Sequence, residues 1–488
     1  MPTPSELPNM NATSQRPSTN VLDDNILSRI ALRFTAWTEK WMPDAFGFVL
    51  VGTVIVFAVG ILVGETPVTM VSTWGKGFWA LIPFTLQMAM IIIGGYVVAS
   101  SEIVGRFITR VAGVPQTPRS AILLVAFVSM VTSYFNWAFG LVFTAILAKE
   151  IARVVPRVDY RAVCAMTFVG IGTVWAQGLS GSAALQVANK VSSPEAIQSV
   201  IAGVRGVGTI PLTETLFLWQ SYVCIVTLMV VVMTMAWFMA PSDERSVTAG
   251  DMGFNLKPIA EEHRVESEEK PRPGDFIEHS PIVTILIVTL GVAYLIYHFG
   301  TGTGSVFNKL DLNTINMILI LLGLLLHWRP YRMSEAVKKA SPSAASILLQ
   351  YPLYGGIFGM IVFTSLSERI ANALVSVSTV TLYPAMIAVY SFILGIFVPS
   401  AGSKWVIEAP YVIGAANKLM VNQGWMVVVY DLGEASANLV QPFWMLPVLS
   451  ILGLKAKDVM GYTFTFCMVC FPVVLVLVTL LAKTLPFP

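Results

Sequence analysis

Lys404 and Glu408 lie four residues apart, and Asp431 and Glu434 sit in the string DLGEASANLVQ (Asp431 to Gln441) between two apolar stretches. Charges within membrane-type segments are expensive and are usually functional. Lys404 falls at the start of an expected helix, where its charge opposes the helix dipole unless an anion or a carboxylate compensates. It would therefore attract a carboxylate, with Glu408 on the same helix face holding it in check or taking protons. The plainer alternative is a structural ion pair or a lysine snorkelling to the interface. Glu434 suits proton exchange or a sodium site, or else caps a loop, and Asp431 is expected nearer the surface.

Neutral groups cluster at the same kinds of break. Asn136, Ser180, Ser182, Ser400, Ser403, Asn438 and Gln441 offer hydrogen bonds to an anion or oxygen ligands to a cation, or simply satisfy helix ends. Gly140, Gly181 and Gly402 would permit tight chain reversals. Trp137, Trp405 and Trp444 belong to the same neighbourhoods, although tryptophans in such chains more often pack or anchor at an interface than line a pocket. His327, at the end of a span before a basic loop, reads as interfacial. Cys467 and Cys470 have the spacing of a metal pair, but no second pair or nearby histidine supports one. All four cysteines read as buried thiols, so no metal site and no cofactor are expected. No zinc cluster, catalytic aspartate pair or nucleophile motif points to an enzyme.

The elements that must position these residues are membrane spans. Apolar residues make up 55% of the 488 positions and charged ones 12%, against about a quarter charged in soluble domains. Stretches without Asp, Glu, Lys or Arg run from Phe46 to Val63, Gly77 to Ser101, Thr215 to Ser242, Ser280 to Tyr297, Ser341 to Ser367 and Val459 to Ala482. About 20 such residues span the hydrocarbon core, and backbone groups in lipid must be satisfied internally, so these are helices. The net charge of +2 gives no field directed at nucleic acid, and no nucleic-acid partner is expected.

Residues 1–21 are polar and read as a disordered tail, and residues 22–42 alternate Ile, Leu, Phe and Trp with Arg and Lys as an interfacial amphipathic helix does. A hydrophilic, acidic linker at 243–279 separates a first membrane repeat (43–242) from a second (280–488). The halves match at an offset of 263 positions: Gly60/Gly323, Leu62/Leu325, Pro67/Pro330, Met70/Met333, Lys76/Lys339, Leu86/Leu349 and Gln87/Gln350. Arg106, Arg110 and Arg119 follow the Gln87 helix, whereas Arg329, Arg332, Lys338 and Lys339 precede the Gln350 helix. If both loops are cytoplasmic, the equivalent helices run in opposite directions. That is an inverted repeat, as in many secondary transporters.

Ser120 to Ala148 carries no charge and would make one helix of about 44 Å, too long for one crossing and too short for two. With basic residues on both flanks, it reads as a re-entrant hairpin whose tip is near Asn136. Its counterpart is a tip at Pro399 to Lys404, entering from the other face. Each tip precedes an interrupted span, at Gln177 to Ser182 and at Asp431 to Gln441. Such interruptions expose helix-end groups at depth that suit a carboxylate and a cation.

At these residues the sequence resembles the bacterial short-chain fatty acid transporter family, within the wider ion-transporter superfamily. The matching strings are WMPD (Trp41 to Asp44), WGKGFW (Trp74 to Trp79), FNWAFGL (Phe135 to Leu141), GLSGS (Gly178 to Ser182), WVIEAPYVI (Trp405 to Ile413) and QPFWMLP (Gln441 to Pro447). The resemblance implies uptake of acids such as acetoacetate or butyrate. It also implies an all-α membrane fold of two inverted repeats with re-entrant hairpins and broken helices, often working as an elevator. Where the family has PSGGG, then His or Gln, then WVIQGP, this chain has Ala401, Ser403, Lys404 and Glu408, and its GEQWMN becomes GEASAN with Ser436 in place of Trp. A smaller, more polar site of this kind could prefer a hydroxy, keto or dicarboxylic acid.

The reading is therefore a multi-pass transporter of the bacterial inner membrane that imports a small carboxylate by proton or sodium symport. The alternatives are another small organic anion as substrate or passive facilitation. Its partners are the substrate and the lipid bilayer, and a homodimer follows only from analogy with elevator relatives.

Overall fold

The computed structural model describes residues 45–241, 246–258, 275–301, 309–397, 400–441 and 444–488. The expected tail (1–21), the amphipathic helix (22–42), much of the linker and Pro399 lie outside them. Every regular element among the described residues is helical. The first half comprises α1 (Ala45–Leu62), α2 (Pro67–Phe78), α3 (Ile82–Ala99), α4 (Glu102–Ala112), α5 (Pro118–Phe135) and α6 (Trp137–Val154). There follow the short pieces α7 (Tyr160–Ala165), α8 (Val169–Gly172) and α9 (Ser182–Val187), then α10 (Glu195–Arg205) and α11 (Trp219–Met239). The second half holds α12 (Asp275–His279), α13 (Pro281–Gly300), α14 (Leu312–His327), α15 (Pro330–Ala340), α16 (Ala345–Val362) and α17 (Leu366–Ser376). It ends with α18 (Tyr383–Phe397), α19 (Ala401–Leu419), α20 (Gln423–Ala437), α21 (Met445–Leu452) and α22 (Ala456–Ala482).

Helix starts repeat at the spacing found in the sequence. Pro67 and Pro330 each open a short amphipathic helix, where a proline's missing N–H costs nothing. Ile82 and Ala345 then open the apolar helices α3 and α16. The packing is exchanged between halves: α3 lies on α14 and α15, and α16 lies on α1 and α2. Likewise α4 packs on α6 as α17 does on α19, and α10 packs on α19 as α21 does on α6. Swapping the two sets leaves this scheme unchanged, which is the pattern two related halves produce around a two-fold axis. Bonds across the exchange include His327 Nε2 with the Val97 carbonyl at 2.8 Å, Gln87 Nε2 donating to Asn313 at 2.8 Å, and Asn316 donating to the Gln87 carbonyl at 2.8 Å.

Six helical segments among the described residues are long and apolar enough to cross a bilayer, or seven if α16 and α17, bent by 74°, count as one. They divide by environment. The α13 helix presents Ile282, Leu286, Leu290 and Ile296 outward, as a lipid-facing helix does, whereas the interrupted run from Tyr160 to Val187 is almost wholly buried. Irregular backbone at membrane depth is tolerated only inside such a protein wall. The linker begins with a docked stretch: Val247 bonds Asp159 and Tyr160 through its N–H and carbonyl, and the Phe254 ring packs 5.6 Å from Tyr160.

Candidate functional site

The first hairpin turns at Asn136, whose extended backbone (φ −158°, ψ 122°) ends α5 and starts α6. Asn136 Oδ1 accepts from the Phe139 N–H at 2.8 Å, capping the second arm. Both arms have 18 residues, about 27 Å each. They outrun the uncharged segment because Lys149, Glu150 and Arg153 continue α6, with Glu150 paired to Arg153 at 2.7 Å. Gly140 lets the arms close: a Cβ there would stand 2.8 Å from Ser133 Oγ and 2.9 Å from the Ser133 amide.

The interrupted run folds against this tip. The Leu179 N–H donates to the Tyr134 carbonyl at 2.6 Å, and the Trp137 N–H donates to Ser180 Oγ at 3.0 Å. Trp175 Nε1 donates to the Ser180 carbonyl at 3.1 Å. Gly178 is extended, and Gly181 precedes the first turn of α9, so the GLSGS interruption falls where its composition indicated.

The second hairpin pairs α18 with α19. Tyr383 Oη donates to the Val412 carbonyl at 2.6 Å, and nearer the tip Lys404 Nζ donates to the Ser391 carbonyl at 3.2 Å, as antiparallel arms require. Ser400 opens α19 and makes no side-chain cap. Its hydroxyl instead joins Ser403 Oγ at 2.7 Å and Tyr351 Oη at 3.1 Å. Gly402 meets Phe84 so closely that a Cβ would lie 2.4 Å from the ring.

Three features here depart from the expectations. Helix α20 runs unbroken through Asp431 and Glu434 and ends at Asn438, so the second interruption lies after Ala437. Asp431, expected nearer the surface, is fully buried and accepts from the Ala183 N–H at 3.0 Å. Lys404 forms its ion pair with Glu434 of α20 rather than with Glu408 one turn along its own helix. Both partners are buried. Glu408 is also buried, with one oxygen lacking a hydrogen-bond partner among the described residues.

Between the tips lies a cavity of about 20 Å³ lined by Trp137, Ser182, Tyr351, Ser400, Glu434 and Asn438, with Met88, Ile171, Trp175, Ile347, Ala401, Gly402 and Trp444 completing its wall. A space of that size holds about one water. Of the predicted residues, Trp137, Ser182, Ser400, Gly402, Glu434 and Asn438 share it. Lys404 stands behind Glu434, Ser180 and Asn136 behind Trp137, and Ser403 behind Ser400. Gln441 donates to Asn438 at 2.9 Å. Gly140, Gly181 and Glu408 do not line the cavity. Ser436 does not either: its hydroxyl donates to the Leu432 carbonyl at 3.0 Å, so that replacement adds no polarity to the wall.

Tyr351, Met88 and Ile347 escaped the sequence reading, yet a signal for them exists. The offset of 263 that pairs Gln87 with Gln350 places Met88 on Tyr351, and both line the cavity. It likewise places Phe84 on Ile347, and Phe84 stacks on Tyr351 at 5.8 Å. Glu434, Ser400, Tyr351, Asn438 and Ser182 give the cavity its polar groups. Met88, Ile171, Ile347 and the edge-to-face pair Trp137/Trp444 (4.7 Å) make its apolar share.

An all-helical, multi-pass membrane protein that packs two helical hairpins and a buried interrupted run around a small shared cavity is built as a transporter, not as an enzyme. The chain belongs to the short chain fatty acid transporter family, whose pattern matches residues 26–481. It is 34% identical over 443 residues to a protein of Escherichia coli (strain K12) provisionally named a short-chain fatty acid transporter, covering 90% of this chain and 96% of that one. A Haemophilus influenzae protein given the same provisional name is 30% identical over 459 residues, covering 92% and 99%. In fold it is similar to the Alcanivorax borkumensis YdaH transporter (TM-score 0.58, 16% identity, 91% of this chain and 100% of that one). Neisseria gonorrhoeae MtrF, described with a class of antimetabolite efflux pumps, gives TM-score 0.58 at 13% identity, covering 94% and 98%.

Proposed function

We propose that this chain carries short-chain monocarboxylates of the butyrate and acetoacetate type inward across a bacterial inner membrane, driven by a cation gradient. The family assignment supports the substrate class. The observation that carries the reading is the mixed wall of the cavity, in which Ser400, Tyr351, Asn438 and Glu434, the last backed by Lys404, stand beside Met88, Ile347, Trp137 and Trp444. Such a wall suits one carboxylate with a short hydrocarbon tail and disfavours a second carboxylate. The exchanged packing supports two inverted repeats, and the small shared cavity supports an elevator cycle in which the tips part on alternate sides.

One observation favours an oxygenated tail. Trp137 Nε1 and Asn136 Nδ2 are buried donors with no partner among the described residues, and a keto or hydroxyl oxygen would satisfy one of them. Uptake of labelled butyrate, acetoacetate, 3-hydroxybutyrate and succinate into proteoliposomes, under imposed proton or sodium gradients, tests the proposal. Saturable monocarboxylate uptake is the expected result. Uptake confined to succinate overturns the substrate class, and counterflow with no response to either gradient overturns active transport.

A further inference from the structure

We propose that Glu434 is a tethered stand-in for the substrate's carboxylate, so that Lys404 takes up an anion only when one proton has reached Glu434. This rests on the carboxylate reading above and deepens it by choosing the coupling ion and its carrier. The geometry comes first. Lys404 Nζ is buried and held by the Ser391 carbonyl at 3.2 Å and by Glu434 Oε2, while Glu434 itself forms part of the cavity wall. Its other oxygen, Oε1, has no partner among the described residues. An entering carboxylate therefore meets the Glu434 charge before it meets the ammonium.

The charges around this point are lopsided. Lys404 shares its buried surroundings with Glu434, Glu408 and Asp431, three carboxyl groups to one ammonium. Tyr351 and Tyr354 from α16 and Tyr430 of α20 itself face Glu434, while Tyr390 of α18 and Tyr411 of α19 bond each other beside Glu408 and Cys467 of α22 bonds the Ser436 carbonyl. A further anion placed here without a compensating positive charge would meet a large desolvation and repulsion penalty. A cation bound between the Ser391 carbonyl and Glu434 Oε2 would have to displace the ammonium that already bonds both. A proton needs no such space.

The exchange balances in charge. A proton adds to the Glu434 carboxylate, its bond to Lys404 loosens, and the substrate carboxylate accepts from Lys404 Nζ in its place. Proton and anion together add no net charge. On release the proton leaves with the anion and the Lys404–Glu434 pair reforms. Coupling follows from the same energetics, because protonating Glu434 without an anion would leave the buried ammonium without the carboxylate that bonds it directly. The empty carrier therefore returns with its ion pair closed.

Calorimetric titration of the purified full-length protein with butyrate and with acetoacetate, in buffers of different ionisation enthalpy, counts the protons taken up on binding. One proton per anion is expected for the wild type, with affinity falling tenfold for each pH unit above the titration of Glu434. E434Q, which mimics the protonated state, should bind with no proton uptake and little dependence on pH. Binding without proton uptake by the wild type overturns the proposal and leaves the carboxylate reading standing, and so does undiminished proton uptake by E434Q. Should E434Q fail to fold, the wild-type count alone decides. No binding of either acid in any buffer overturns the carboxylate reading, and this proposal with it.

Discussion

The two hairpin tips occupy equivalent places in the packing scheme but carry opposite kinds of chemistry. The first is neutral: Asn136 caps its own second arm, Ser180 ties it to the interrupted run, and Trp137 turns an aromatic face to the cavity. The second holds a buried lysine whose partner comes from α20, with its serines bonded to each other and to Tyr351. Two tips of like packing thus differ in chemistry. One tip sets the form of the chamber, and the other supplies its charge.

The largest expected effect falls on the charged tip. K404M leaves Glu434 buried without its partner, and breaking such a pair typically costs about 3–5 kcal/mol. Thermal unfolding in detergent should move down sharply and uptake should vanish. The double variant K404M/E434L should recover the unfolding midpoint but not uptake. Normal uptake by K404M would erase the distinction between the tips.

Next is crowding at the paired glycines. G402A drives a methyl into the Phe84 ring, and G140A drives one toward Ser133 of the opposite arm. Overpacking of this kind costs about 1–3 kcal/mol. Phe84→Leu should rescue G402A, because a side chain can yield there, whereas no neighbouring truncation should fully rescue G140A, whose methyl also meets the Ser133 backbone. Equal rescue of both would show that the arms close alike.

Smaller effects separate capping from binding. N136A removes a helix cap, worth about 1 kcal/mol, and should lower both stability and uptake. S400A removes no cap but takes the hydroxyl bonded by Ser403 and Tyr351, so its unfolding midpoint should fall by an amount worth about 1 kcal/mol while uptake falls out of proportion to it. If both variants insert into the membrane and transport normally, neither tip belongs to the site. The smallest change is W137F, which deletes the unpaired indole N–H and should alter the preference between acetoacetate and butyrate by about tenfold or less. Identical rate ratios for the two acids would free Trp137 of any part in selection.

Much of this arrangement could be read from the chain alone because it depends on local or periodic signals. Pro67 and Pro330 mark equivalent helix starts, FNWAFGL turns a hairpin at its asparagine, and GLSGS interrupts a run because its glycines sit where the backbone must be extended against Tyr134. The misplaced residues depend on distant partners. Asp431 looked like part of a break because acidic residues in apolar sequence usually mark a surface, but its oxygen bonds an amide 248 residues away. Helical spacing made Glu408 the natural mate for Lys404, yet a carboxylate 30 residues further on is the one that reaches the ammonium. Met88 and Tyr351 carry no motif of their own, and only the repeat relation connects them.

The exchange of helices between the halves also bears on how the protein is made. His327 finds the Val97 carbonyl across 230 residues of chain. At roughly 5–20 residues per second of synthesis, α3 waits about ten to fifty seconds for that partner to leave the ribosome. During this interval the Gln87 amide and the face of α3 that later receives Leu319 border lipid or the insertion machinery. Neither half can complete its interior before the other is in the membrane, so the nascent first half must persist as an unfinished bundle.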